Sequence, residues 1–178
     1  MINFAMEHII VIGGTGILRG VCRQFSQDGK VVSVVARSRD KLVELVKETR
    51  ANPGIVNPVM VDYTNSDQFK FKLHEAVTHL GPPTIVINLM PPMAEASRRV
   101  LFDYLNENDI KVEIFDIFRI ENAPANTPDI DGINQYHRVI IGWKNEASKR
   151  SRFNEDEIAI ELIAVLEEPQ DKIIIGQV

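Results

Sequence analysis

Gly13, Gly14 and Gly16 crowd into four positions, with Thr15 among them, directly after the branched apolar run "HIIVI". Glycine reaches positive φ and carries no Cβ, so a turn of this kind lets a diphosphate come close to the backbone. The residues that follow read as a helix, whose N-terminus offers unpaired N–H groups and partial positive charge to phosphates. Strand before and helix after is the context the glycine pattern requires. Arg19 stands where a dinucleotide loop carries its last glycine. A cation in the first helical turn opposes the helix dipole unless an anion lies nearby. Arg19 therefore either flanks the phosphates or points into solvent. Gly20, one residue on, is expected to restore close packing on a rotated face.

A second run, "KVVSVVA", is followed by Arg37, Ser38 and Arg39. In dinucleotide-binding folds an acid at this point holds a ribose 2′-hydroxyl, whereas an arginine accommodates a 2′-phosphate. A guanidinium fork matches phosphate in charge and geometry. The expected cofactor is therefore NADP(H) in preference to NAD(H). Ser38 also reads as the N-cap of the next helix.

These residues need elements to hold them, and apolar runs and amphipathic stretches alternate along the chain. "HIIVIG" predicts a strand and residues 16–28 a helix, with Leu18, Cys22 and Phe25 on one face. Leu42, Leu45, Val46 and Thr49 stripe a second helix. A strand in "NPGIVNPVMVD" leads to a third helix lined by Phe69, Leu73, Ala76, Val77 and Leu80 and stopped by Gly81. Then come the strand "TIVINLM", a helix from about residue 93 to 106, and the strands "KVEIFDIF" and "QYHRVIIGW". Asn154 and Glu157 read as a capping-box pair opening the last helix, before the strand "DKIIIGQV". Nearly continuous Ile/Val strands are buried on both faces. The expected fold is a three-layer, Rossmann-like, doubly wound parallel α/β sheet, about seven strands with helices on both faces, in one domain over residues 1–178. Residues 119–132 are the candidate flap.

The chain has 178 residues and a formal net charge of −5, which disfavours nucleic acid and anionic membranes as partners. Its apolar runs are strand-length. No basic flank or small-residue cleavage site marks the start, so the cytoplasm is the expected compartment. Cys22 is the single cysteine and falls on an apolar helix face, as a buried inert thiol would. His8, His74, His79 and His137 show no metal-ligand spacing, and no metal is expected.

The pieces "VIGGTGILRG", "VVSVVARSRDKL", "VMVDYTN" and "IVINLM", with the tail "EDEIAIELIAVLEEPQDKIIIGQV", resemble the short-chain dehydrogenase/reductase superfamily. The resemblance covers most of the chain outside residues 91–150, and is greatest to small, truncated bacterial members. It implies cofactor contacts along these motifs: Ile17 and Leu18 after the glycines, Asp62 at the adenine with Tyr63 beside it, and Asn88, Leu89 and Met90 towards the nicotinamide.

The superfamily's proton donor is a tyrosine with a lysine four residues later. Here Tyr63 is followed at that spacing by Asp67, Tyr104 by Asn108, and Tyr136 by Ile140. The missing length lies between the fourth and sixth strands, so no catalytic residue is assigned. Two readings follow: an NADP(H)-dependent oxidoreductase with an absent or non-standard proton donor, such as Tyr136 or His137, or a cofactor-binding sensor or partner module without turnover. The basic connector "KNEASKRSR" is either solvated or, through Lys144, Lys149, Arg150 and Arg152, meets an anionic small-molecule substrate. The last strand would leave an apolar edge that needs covering, so a homodimer is expected.

Overall fold

The computed structural model describes residues 6–125, 135–146 and 149–178. Seven strands form one parallel sheet: β1 (His8–Ile12), β2 (Val31–Ala36), β3 (Ile55–Met60), β4 (Ile85–Asn88), β5 (Glu113–Arg119), β6 (Gln135–Ile141) and β9 (Lys172–Ile175). Their order is β3-β2-β1-β4-β5-β6-β9. Every residue of β1 and β2 is buried, as strands covered on both faces must be. β3 buries only Val56 and Val59, and its Pro58, which has no N–H to donate, is tolerated because β3 is an edge.

Helices α1 (Arg19–Gln27), α2 (Arg39–Glu48) and α5 (Glu155–Glu167) pack on one face, where Val21, Cys22, Leu42, Leu45, Ile158 and Leu162 close over Val11, Val34 and Ile117. Helices α3 (Ser66–Leu80) and α4 (Glu95–Glu107) cover the other through Phe69, Leu73, Leu101 and Leu105. The helix starts follow local chemistry. Ser38 accepts from the Lys41 N–H, Asn65 from Gln68, and Asn154 with Glu157 forms the expected capping box. Each such cap is worth about 1 kcal/mol.

One connection breaks the usual rule. The path from β1 to β2 moves towards one edge of the sheet with α1 on its face. The path from β6 to β9 moves towards the opposite edge, yet α5 lies on that same face. The two crossovers therefore have opposite hands, and since β–α–β units are right-handed in all but about 2% of cases, β6–α5–β9 is the left-handed one. Gly20 makes this packing feasible: a Cβ there would lie 2.5 Å from the Glu155 carbonyl oxygen. Its role is thus helix–helix contact between α1 and α5, not compensation against a strand.

Three boundaries differ from expectation. Residues 13–18 are a turn, so α1 begins at Arg19 rather than at residue 16. The fourth helix is preceded by a 3₁₀ turn, Pro92–Ala94, because Pro91 and Pro92 cannot enter a regular α-helix interior. The basic connector is a small antiparallel hairpin, β7 (Lys144–Glu146) with β8 (Lys149–Ser151). The candidate flap begins with a 3₁₀ turn, Ile120–Asn122, and residues 126–132 of it lie outside the described residues.

Candidate functional site

β1 has β2 on one side and β4 on the other, so the strand order reverses at its carboxyl end. That is where ligands bind in open α/β sheets. A cleft of about 890 Å³ opens there, running from Arg37 and Ser38, past Gly13, Thr15, Gly16 and Ile17, to Arg98, Phe118 and Arg119.

The glycines have three different reasons. Gly13 has φ +83°, donates its N–H to Val35 O at 2.8 Å, and would bring a Cβ within 3.1 Å of the Leu89 carbonyl oxygen. Gly14 is a packing glycine. Its Cβ would meet Val34 at 2.7 Å and the Cys22 sulfur at 2.9 Å, and it does not line the cleft. Gly16 needs neither positive φ nor close packing, since no atom lies within 4 Å of a Cβ placed there. It faces the cleft, and nothing in the protein's own packing or backbone accounts for the missing side chain. No side chain caps α1, whose N-cap is Leu18, so the N-terminal N–H groups of the helix receive no side-chain acceptor there.

Arg19 does not flank this turn. Its guanidinium ion-pairs with Glu48 and, at 3.4 Å, with Glu44 on α2, and its pKa rises chiefly through the bond to Glu48. The acids of α2 supply the anion that the helix dipole calls for, so the phosphate role expected of Arg19 is corrected to tying α1 to α2. Leu18 is fully buried in the core and cannot touch a ligand. Cys22 lies beneath the turn, and burial pushes its thiol pKa up.

At the β2 end, Arg37 is exposed and stands over the Tyr63 ring at 5.4 Å. Both line the cleft, as do Ser38 and Lys41, which the spacing alone had not singled out. Lys41 lies three residues after Ser38, one helical turn on, which is the signal that could have found it. Arg39 is exposed at the start of α2 and outside the cleft lining. Asp62 is also outside it: Oδ1 accepts from the Thr64 N–H at 3.0 Å and hydroxyl at 2.8 Å, and these bonds lower its pKa. Here Asp62 is a turn-former, not a cleft wall.

At the β4 end, Leu89 and Met90 line the cleft, while Asn88 is fully buried beneath it. Asn88 donates to Asp116 Oδ1 at 2.9 Å, and its own Oδ1 accepts nothing. Asp116, also fully buried, binds the Arg98 guanidinium and accepts from the Tyr136 hydroxyl at 2.6 Å. Arg98 stacks over Phe118 at 4.3 Å. Neither candidate proton donor reaches the cleft. The Tyr136 hydroxyl is held by Asp116, and burial pushes its pKa up to about 12. His137 stacks on Phe115, with its ring nitrogens at Glu113 and the Gln170 carbonyl, towards the other end of β5.

The described residues of the basic connector are not part of the cleft lining either. Lys144 pairs with Glu157, and Arg152 pairs with Glu121 at 2.6 Å while stacking over Trp143 at 4.5 Å. Among the described residues, no group of three or more His, Cys, Asp or Glu side chains is placed to hold a metal, and no helix is long and apolar enough to cross a membrane.

Comparison with known proteins agrees with this fold. The sequence profile described as short chain dehydrogenase matches residues 7–111. A short chain dehydrogenase of Pseudocercospora fijiensis is 35% identical over 81 residues, which is 46% of this chain and 26% of that protein. The chain spans less than half the length of the curated relatives it matches. A short chain dehydrogenase/reductase from Burkholderia phymatum, solved with NAD, superposes with a TM-score of 0.76 at 11% identity, over 98% of this chain and 90% of that one. An alcohol dehydrogenase from Thermococcus sibiricus, solved with 5-hydroxy-NADP, gives 0.71 at 14% identity, over 96% of each chain.

Proposed function

The chain belongs to the short chain dehydrogenase family, and from that premise we propose that it binds NADP(H) in preference to NAD(H) and acts as an oxidoreductase. The observation that carries the reading is Gly16, a cleft-lining glycine for which the protein's own packing and backbone give no reason. Gly13 and the uncapped start of α1 would receive a diphosphate, and Arg37, Ser38 and Lys41 an additional phosphate at the β2 end. Tyr63 supports Arg37 from below through its ring. When bound, the nicotinamide supplies or accepts a hydride. Met90, Ile117 and Phe118 give that part of the cleft apolar walls that exclude water.

A second reading, a cofactor-binding module without turnover, draws support from the proton donors. The Tyr136 hydroxyl is committed to a buried carboxylate, and no tyrosine in the chain has a lysine four residues on. Calorimetric titration with NADPH and NADH, beside NADPH consumption over aldehydes, quinones and linear tetrapyrroles, separates the two. Binding with turnover supports the enzyme, and binding without turnover on any of these supports the module. No heat with either coenzyme removes both. Arg37→Asp is expected to weaken NADPH by about tenfold or more and NADH far less. A homodimer paired through α5 and β9 belongs to this reading, since Ile160, Ile174 and Val178 stand exposed there.

A further inference from the structure

The inner end of the cleft, around Phe118, holds charge that the coenzyme reading does not use. Arg98 lies over the Phe118 ring, and Arg138 approaches it at 5.8 Å. Arg119, the next residue along β5, lines the cleft half-buried. Two carboxylates oppose these three guanidinium groups: Asp116, buried below and bound to Arg98, and Glu95, exposed at the rim. Glu121 ion-pairs with Arg152 at 2.6 Å, a pair that is neutral in itself, and the Arg119 charge also acts on it from beyond ion-pair distance. Among the described residues neither Arg119 nor Arg138 has a carboxylate within ion-pair distance. Arg138 is 5% exposed, donates to the Pro124 carbonyl, and leaves its Nε without an acceptor.

Guanidinium groups stay charged at any physiological pH, so among the described residues this balance leaves one positive charge at the inner end. Burial beside apolar walls raises the worth of an anion that meets it. The walls are Met90, Pro91, Pro92 and Phe118, which suit a hydrocarbon body and not a small hydrated ion. We infer that the inner half of the cleft is a subsite for an organic monocarboxylate with an apolar body, its carboxylate held by Arg119 and Arg98. The inference rests on reading the outer half as the coenzyme site. It also replaces the basic connector as the source of anion selectivity, because Arg152 and Lys144 are turned to Glu121 and Glu157.

The test is calorimetry on the full chain, with and without NADPH, using hexanoate, uncharged hexanamide and inorganic phosphate as probes. Hexanoate should bind at about millimolar concentration and hexanamide about tenfold more weakly. Phosphate should not displace hexanoate. Arg119→Gln, checked for an unchanged unfolding midpoint, should weaken hexanoate about tenfold and hexanamide hardly at all, and Arg119→Lys should recover part of the loss. Equal affinity for hexanoate and hexanamide, displacement by phosphate, or no change in Arg119→Gln overturns the inference. If NADPH binds and hexanoate does not, this subsite fails while the coenzyme reading stands. If hexanoate binds through Arg119 and neither coenzyme registers, the subsite stands and the coenzyme reading fails.

Discussion

Under β1 and β2 the buried polar groups are neutral, whereas β5 and β6 bury the charged Asp116 and Arg138. His8, at the start of β1, shares Ser33 Oγ with Asn57 and meets the Gly81 carbonyl at 2.7 Å. Asp116 in β5 faces Arg98, Tyr136 and Asn88, with Arg138 opposite it in the β5–β6 register. Both faces of β1 and β2 are closed by helices, and the groups left inside are satisfied without ionisation. On the part of the sheet formed by β5 and β6, Arg98 and Arg138 lie against the strands. A neutral network costs little to bury. A charged one is costly wherever a partner is missing, because each ion is expensive alone.

The largest break in this contrast should come from Asp116→Ala. It leaves the Arg98 guanidinium buried without its carboxylate and should cost about 3–5 kcal/mol in urea unfolding. Gly14→Ala should cost about 1–3 kcal/mol by pressing a methyl group into Val34 and Cys22. The neutral network should show itself only through pH. Burial holds the His8 pKa below its usual 6.5, so the folded state disfavours the proton. The stability that depends on neutral His8 is then complete above pH 6.5 and is lost as pH falls through the folded value. His8→Gln should flatten the unfolding midpoint across that window. The smallest structural effect belongs to Gly16→Ala, whose stability should stay within about 0.5 kcal/mol of the parent. Its NADPH affinity should nevertheless fall, and an unchanged affinity would detach the glycine turn from the ligand.

The same contrast explains what the sequence revealed. The glycine turn, the Ser38 cap and the Asn154–Glu157 box each lie within a few residues, so spacing alone exposes them. Buried Ile/Val runs announce β1 and β2, and Gly81 marks the end of α3. Asp116 gave no such sign, because its partners stand 18, 20 and 28 residues away and meet it only through strand pairing and α4 packing. Arg19 was legible as an anomaly, but its answer, Glu48, lies 29 residues on. The pairing of β7 with β8 was hidden by charge: three-residue strands carry too little alternation to read.

The reversed crossover through α5 has a consequence for how the molecule is made. α1 is sealed by residues that a ribosome adds more than 130 positions later, with Arg23 held by Glu155 at 3.0 Å and Asp156 at 2.8 Å. During synthesis the β1–α1–β2 unit must therefore wait with an apolar flank uncovered, and at about 5–20 residues per second that wait lasts about 7–26 seconds. Contacts so distant along the chain also slow folding in free solution. Although made long before α5, α1 is thus among the last elements to be fully shielded, which makes it a stretch a nascent-chain chaperone would meet.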